Sequence, residues 1–213
     1  MKKRNKLSHE LIPLFCPYAI MLQNKNNYVF ILIKIFIPWS YLIVYSDAKL
    51  GGFHINTCKL LLLLKKEAVN ISSEYLTRIN EKETEDTQSP RGSFQYNIQC
   101  LAGYNRKKFF ELKERDCPEI SEEIDIEKFQ NFTFRINKYM DEYAPNQRDL
   151  KEYTRIICTY LTFIAKEPLH PPGIYVNENQ TIFENNGVYY CPAKSKHILE
   201  EMSLCKYCVC RVI

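Results

Sequence analysis

The sequence predicts a mainly α-helical domain with a small C-terminal β-hairpin and a cysteine knuckle. Three observations predict it. Apolar residues recur every three to four positions through much of 57–168, the spacing that builds one buried helix face. Two β-rich runs flank an Asn-Asn-Gly turn in QTIFENNGVYYC, residues 180–191, and such turns tolerate the positive φ a tight hairpin needs. Four of the nine cysteines fall within residues 191–213. The chain divides accordingly into a hydrophobic extension over 1–56, a helical body over 57–168, and a tail over 169–213 holding an LHPPG loop, the hairpin and the cysteines.

The extension has its own grammar. YVFILIKIFIPWSYLIVY, residues 28–45, carries one charge in eighteen residues, which meets the length of a short membrane span. An earlier apolar run, 11–22, follows a basic MKKRNK start and resembles the middle of a signal peptide, but no small-residue cleavage site follows it. Lys34 and Pro38 oppose a lipid-facing helix, since a central Lys costs about 2.5–3.5 kcal/mol on insertion. Two readings stay open: a membrane anchor, or a mis-set start that translates AT-rich upstream DNA.

In the body, Thr57 is placed to cap CKLLLLLKKEAVNI, and Ser72 or Ser73 to cap SEYLTRINEKE, each by accepting from free backbone N–H groups. ETEDTQSPRGS, 83–93, reads as a linker. FQYNIQCLAGYNRKKFFELKER gives a third helix, interrupted at Gly103 and ended by Cys117-Pro118, because proline restricts the residue before it. Asp125 caps a helix along which Ile126, Phe129, Phe132, Ile136 and Tyr139 share a face. Asn146 caps the last, striped by Leu150, Tyr153, Ile157, Leu161 and Ile164 and halted by Pro168. Cys158 lies in that stripe as a small hydrophobe.

The tail carries the chemistry. Zinc and iron–sulfur sites need several soft donors brought together by stiff backbone. Cys205 and Cys208 form a C-x-x-C knuckle, and thirteen residues separate Cys191 from Cys205, a spacing close to that of zinc ribbons. Cys210, His197 or His170 is left as the fourth ligand. His170 is held between a helix end and a Pro-Pro-Gly turn. Lys194 and Lys196 read as solvated charge, with a side effect of softening a tetrathiolate. Against the metal, Cys208 and Cys210 read as apolar filler in a frayed tail. A thioredoxin-like dithiol is disfavoured, since that motif opens a helix within a βαβ unit and too little chain follows Cys208 to complete one.

Charge and motifs lower the rank of several classes without excluding an enzyme. Seven basic and two acidic side chains give residues 1–50 a net +5, leaving −1 on the rest. A nearly neutral body lacks the positive field that nucleic acid requires, so nucleic acid ranks low among partners and a protein partner stays open; a membrane enters only if 28–45 is an anchor. No G-x-S-x-G, H-E-x-x-H or phosphate-binding glycine loop is present. Nine cysteines, five of them scattered singly, read as reduced and intracellular rather than as a disulfide framework. That reading makes the protein cytoplasmic, or membrane-anchored through its N-terminal segment.

FIAKEPLHPPG, NNGVYYCPAK and LCKYC together resemble an uncharacterised protein family of methanogenic archaea, a domain of unknown function. Its pattern of a Leu-His-Pro-x-Gly turn, a Tyr-Cys-Pro-x-Lys strand end and a terminal Leu-Cys-x-x-Cys falls on His170, Pro171, Gly173, Tyr190, Cys191, Pro192, Lys194, Cys205 and Cys208. IYVNENQT departs from the Gly-Gly-containing segment expected after the turn. The resemblance strengthens the site and brings no activity with it. The functional expectation is a structural zinc that fixes the tail on the helical body. The alternatives are an iron–sulfur protein of anaerobic redox or cofactor metabolism, and a metal-dependent enzyme using His170.

Overall fold

Side-chain caps set where the helices begin. Asn56 Oδ1 accepts from the Lys59 amide at 2.9 Å and opens α1, Thr57–Ala68. Ser72 Oγ accepts from the Tyr75 amide and opens α2, Ser73–Thr84. Ser93 caps α3, Phe94–Glu114, and Asp125 caps α4, Ile126–Tyr143, through the Lys128 amide at 3.0 Å. Each such cap contributes about 1 kcal/mol. The computed structural model describes residues 55–84, 89–177 and 179–213. The N-terminal extension, with its runs at 11–22 and 28–45, therefore lies outside the described residues. Among the described residues no helix is long and apolar enough to cross a membrane.

Three boundaries differ from the sequence reading. Thr57 is not the cap of α1, because its hydroxyl accepts from the Glu122 amide at 3.2 Å, and Asn56 takes the capping role. Gly103 does not interrupt α3, which runs unbroken for 21 residues. A mid-helix glycine costs about 1 kcal/mol, and burial of Leu101, Ala102, Phe109 and Leu112 on either side outweighs that. α5 starts at Arg148, with Gln147 rather than Asn146 at its N-terminal boundary and no side-chain cap.

α5, Arg148–Thr159, runs on into a π-helical turn, Tyr160–Ala165. Lys166 then takes a left-handed conformation at φ 56° and ends the helix, two residues before Pro168. The predicted stripes are the core: Phe132, Tyr160 and Leu161 are fully buried, and Leu150, Ile157 and Ile136 nearly so.

Residues 55–58 lie beside 122–124, since the Thr57 amide donates to the Glu122 carbonyl and the Ile124 amide to the Ile55 carbonyl, each at 2.9 Å. That pairing brings Cys58 and Cys117 together as a disulfide, 59 residues apart in sequence, with Cα atoms 5.0 Å apart. The expectation of wholly reduced cysteines is thereby corrected. Two of the five scattered cysteines are a covalent staple, and periodicity alone could not reveal that a non-helical bridge joins their segments.

After the helices, β1 (Tyr175–Asn177) pairs with β2 (Gln180–Thr181), an antiparallel ladder the sequence reading did not include. β3 (Phe183–Asn185) pairs with β4 (Val188–Tyr190) around Asn186 and Gly187, at φ 51° and 76°. This is the predicted Asn-Asn-Gly hairpin. A short helix, α6 (Lys194–His197), follows. The tail docks on α4: the Phe132 ring meets Phe163 and Tyr207 edge-on, each at 5.3 Å. Arg135 donates to the carbonyls of Glu200 and Ser203 at 3.1 and 2.9 Å, with its guanidinium over the Tyr207 ring.

Candidate metal centre

The hairpin turn sends β4 out toward Cys191. The segment after the knuckle returns to pair with it: the Arg211 amide donates to the Tyr189 carbonyl at 2.8 Å and the Cys191 amide to the Arg211 carbonyl at 3.0 Å. Cys210 is thus carried beside Cys191, both buried and packed with Ile182. The frayed-tail alternative is overturned by these bonds. The knuckle itself is closed by the Tyr207 and Cys208 amides donating to the Leu204 carbonyl.

These elements enclose a cavity of about 10 Å³ lined by Leu169, His170, Ile182, Cys191, Lys194, Cys205, Cys208 and Cys210. Five of the six residues expected at the site are among them. His197 is not, and its Nδ1 lies 2.7 Å from the Glu200 carboxylate instead. Among the described residues no group of three or more His, Cys, Asp or Glu side chains stands as a ready coordination sphere. The four thiols share the lining of one cavity.

The surroundings of the sulfurs divide them: Cys191, Cys205 and Cys210 are raised, and Cys208 alone is shifted toward the thiolate. The Cys191 sulfur receives the amides of Ala193 and Lys194, which oppose the upward push of burial on its thiol. Burial likewise raises Cys205, opposed by the Ser203 hydroxyl. Cys208 is shifted well down, chiefly by a hydrogen bond from the Cys210 thiol, and the amides of Leu169 and Cys210 and the nearby His170 act in the same direction. Cys210 is correspondingly raised. Amide donors aimed at sulfur stabilise thiolate over thiol.

Two residues at the site were misjudged or missed in the sequence. Lys194, read as solvated charge, is buried, and its Nζ donates to the carbonyls of Cys208 and Cys210 at 2.7 and 2.6 Å. Tyr104 is the second. Its hydroxyl donates to the Pro168 carbonyl at 2.8 Å, holding the strand of chain that presents Leu169 and His170. Beside it Lys108 bridges Glu111 and Glu167, each at 2.7 Å. Cys158 packs on the core as expected, its thiol pushed up to about 12 by burial and by the nearby Cys208.

Comparison with known proteins gives three kinds of result. The family described as "Uncharacterized protein conserved in archaea (DUF2115)" matches residues 56–212. A UPF0305 protein of Methanocaldococcus jannaschii is 35% identical over 152 residues, covering 70% of this chain and 92% of the relative. A UPF0305 protein of Methanococcus maripaludis strain C7 is 28% identical over 161 residues, covering 74% and 97%. A third, from Methanothermobacter thermautotrophicus, is 39% identical over 64 residues, covering 30% and 39%. No solved structure matches.

Proposed function

The chain belongs to the archaeal family DUF2115, and from that premise we propose that it is a metal-binding helical protein whose tail holds one structural zinc ion. The observation that supports this reading is the convergence of Cys191, Cys205, Cys208 and Cys210 on a single cavity. Four thiolates match the tetrahedral preference of a closed zinc site. The cavity has the volume of about one water molecule, which suits a lone ion better than a multi-iron cluster. Cys210 is the fourth ligand in this reading, because strand pairing through Arg211 carries it to Cys191.

The ion's work is mechanical. Residues 169–213 form too small a unit to bury a core of their own, and metal binding couples directly to folding in such units. Zinc would lock hairpin and knuckle into one body, which Tyr207 and Arg135 hold against α4, so presenting a fixed surface to a protein partner. The reading places the protein in the cytoplasm, where disulfides such as Cys58–Cys117 do persist in some archaea.

Anaerobic purification of the full chain with elemental analysis tests it. Colourless protein with one zinc per chain is expected, lost in Cys205→Ser and Cys210→Ser but kept in His170→Ala. Brown protein containing iron and sulfide would replace zinc with a cluster and an anaerobic redox role. Loss of metal in His170→Ala with retention in Cys210→Ser would move His170 into the coordination sphere and favour the enzyme reading. A native preparation without metal sinks the proposal.

A further inference from the structure

Among the described residues three cationic side chains are buried: Lys108, Arg155 and Lys194. Two have the partners that burial of a charge demands. Lys108 lies between the carboxylates of Glu111 and Glu167. Arg155 lies between those of Glu67 and Glu152. Lys194 is the exception, since no carboxylate among the described residues lies within ion-pair distance of it. Its Nζ is held by two carbonyls, and those carbonyls belong to Cys208 and Cys210. The acid groups that share its cavity are the four thiols.

A buried ammonium satisfied only by neutral carbonyls still lacks a counter-charge. We infer that Lys194 is the resident counter-cation of a thiolate centre and the residue that determines how tightly the centre holds its metal. This rests on the metal-binding reading above and deepens it. Four thiolates around a divalent ion leave a net charge of −2 in a site shielded from water, where neighbouring charges act most strongly. One ammonium fixed beside two of the ligands halves it. The same side chain ties both carbonyls of the last turn, so it also positions Cys208 and Cys210, as the outer shell of a metal site typically does.

Charge and shape can be separated by substitution. Lys194→Gln keeps hydrogen-bond donors and removes the charge, whereas Lys194→Arg keeps the charge. Each variant of the full chain, purified anaerobically, is titrated with zinc against a chromogenic chelator, and far-ultraviolet circular dichroism reports whether the helical body stays folded. Lys194→Gln should bind zinc about tenfold more weakly or worse, with Lys194→Arg restoring most of that loss and both retaining the helical signal. If Lys194→Gln binds as tightly as the unmodified chain, the counter-cation assignment is wrong while the metal site stands. Equal weakening in both variants would make the contribution one of shape and overturn the electrostatic assignment. If the unmodified chain takes up no zinc, the site reading falls first and this inference with it.

Discussion

The helical body and the cysteine tail solve the same problem with different materials. In the body, order comes from apolar area: the stripes of α4 and α5 pack together, α5 also packs on α1 and α3, buried cations sit between carboxylates, and Cys58–Cys117 closes the chain covalently. The tail has two short ladders, one four-residue helix and a small apolar cluster of Ile182 with Cys191 and Cys210. What the tail lacks in hydrophobic area it has in convergent sulfur, amide donors and an ammonium that, among the described residues, is held by carbonyls rather than a carboxylate. Cysteine therefore takes opposite forms in one chain, as an oxidised cross-link in the body and as four free thiols around one cavity in the tail.

The sharpest way to break this contrast is to withdraw the zinc proposed for the tail. A strong chelator should strip hydrogen-exchange protection from the amides of Cys191 and Arg211 while those of α4 and α5 keep theirs, a selective loss reflecting binding free energy on the order of 10 kcal/mol. Uniform loss, or none, would erase the distinction between the two regions. The staple gives the next largest effect. Cys58→Ser opens a loop 59 residues long and should lower body stability in denaturant by about 4 kcal/mol on the loop-entropy account, with metal content unchanged.

A smaller effect sharpens the charge side of the comparison. Burial raises the Glu111 carboxyl, but hydrogen bonds from Lys108 and Tyr160 outweigh it and hold the group below the ordinary carboxylate range. A lowered folded-state value contributes stability above about pH 4, the unfolded value, and that contribution is lost as pH falls through the folded one. Glu111→Gln should therefore flatten the acid limb of a stability–pH profile. An unchanged limb would mean that the body's buried lysine does not depend on this carboxylate.

Much of the fold was legible because its signals are local. Asp125, Ser72 and the Asn-Asn-Gly turn each act within four residues, and the apolar stripes of α4 and α5 repeat at a period the eye can follow. Gly103 misled because the packing that keeps α3 continuous comes from other helices. The disulfide and the return of Arg211 to Tyr189 were hidden for the same reason: both depend on segments that meet only after folding. At the site, type and spacing singled out Cys191, Cys205 and Cys208, whereas the burial of Lys194 depended on where the last turn's carbonyls would lie.

The π-helical turn at Tyr160–Ala165 has an evolutionary consequence. It accommodates one more residue per turn than the α-helix before it, and all of Tyr160, Leu161, Thr162, Phe163 and Ile164 are buried there. Losing one of them would let the turn relax to ordinary α pitch with the downstream register kept, whereas gaining one more would rotate everything downstream by about 100° about the helix axis. With that gain Leu169 and His170 would swing away from Cys208, so this short segment should tolerate the loss of a residue better than the gain of one.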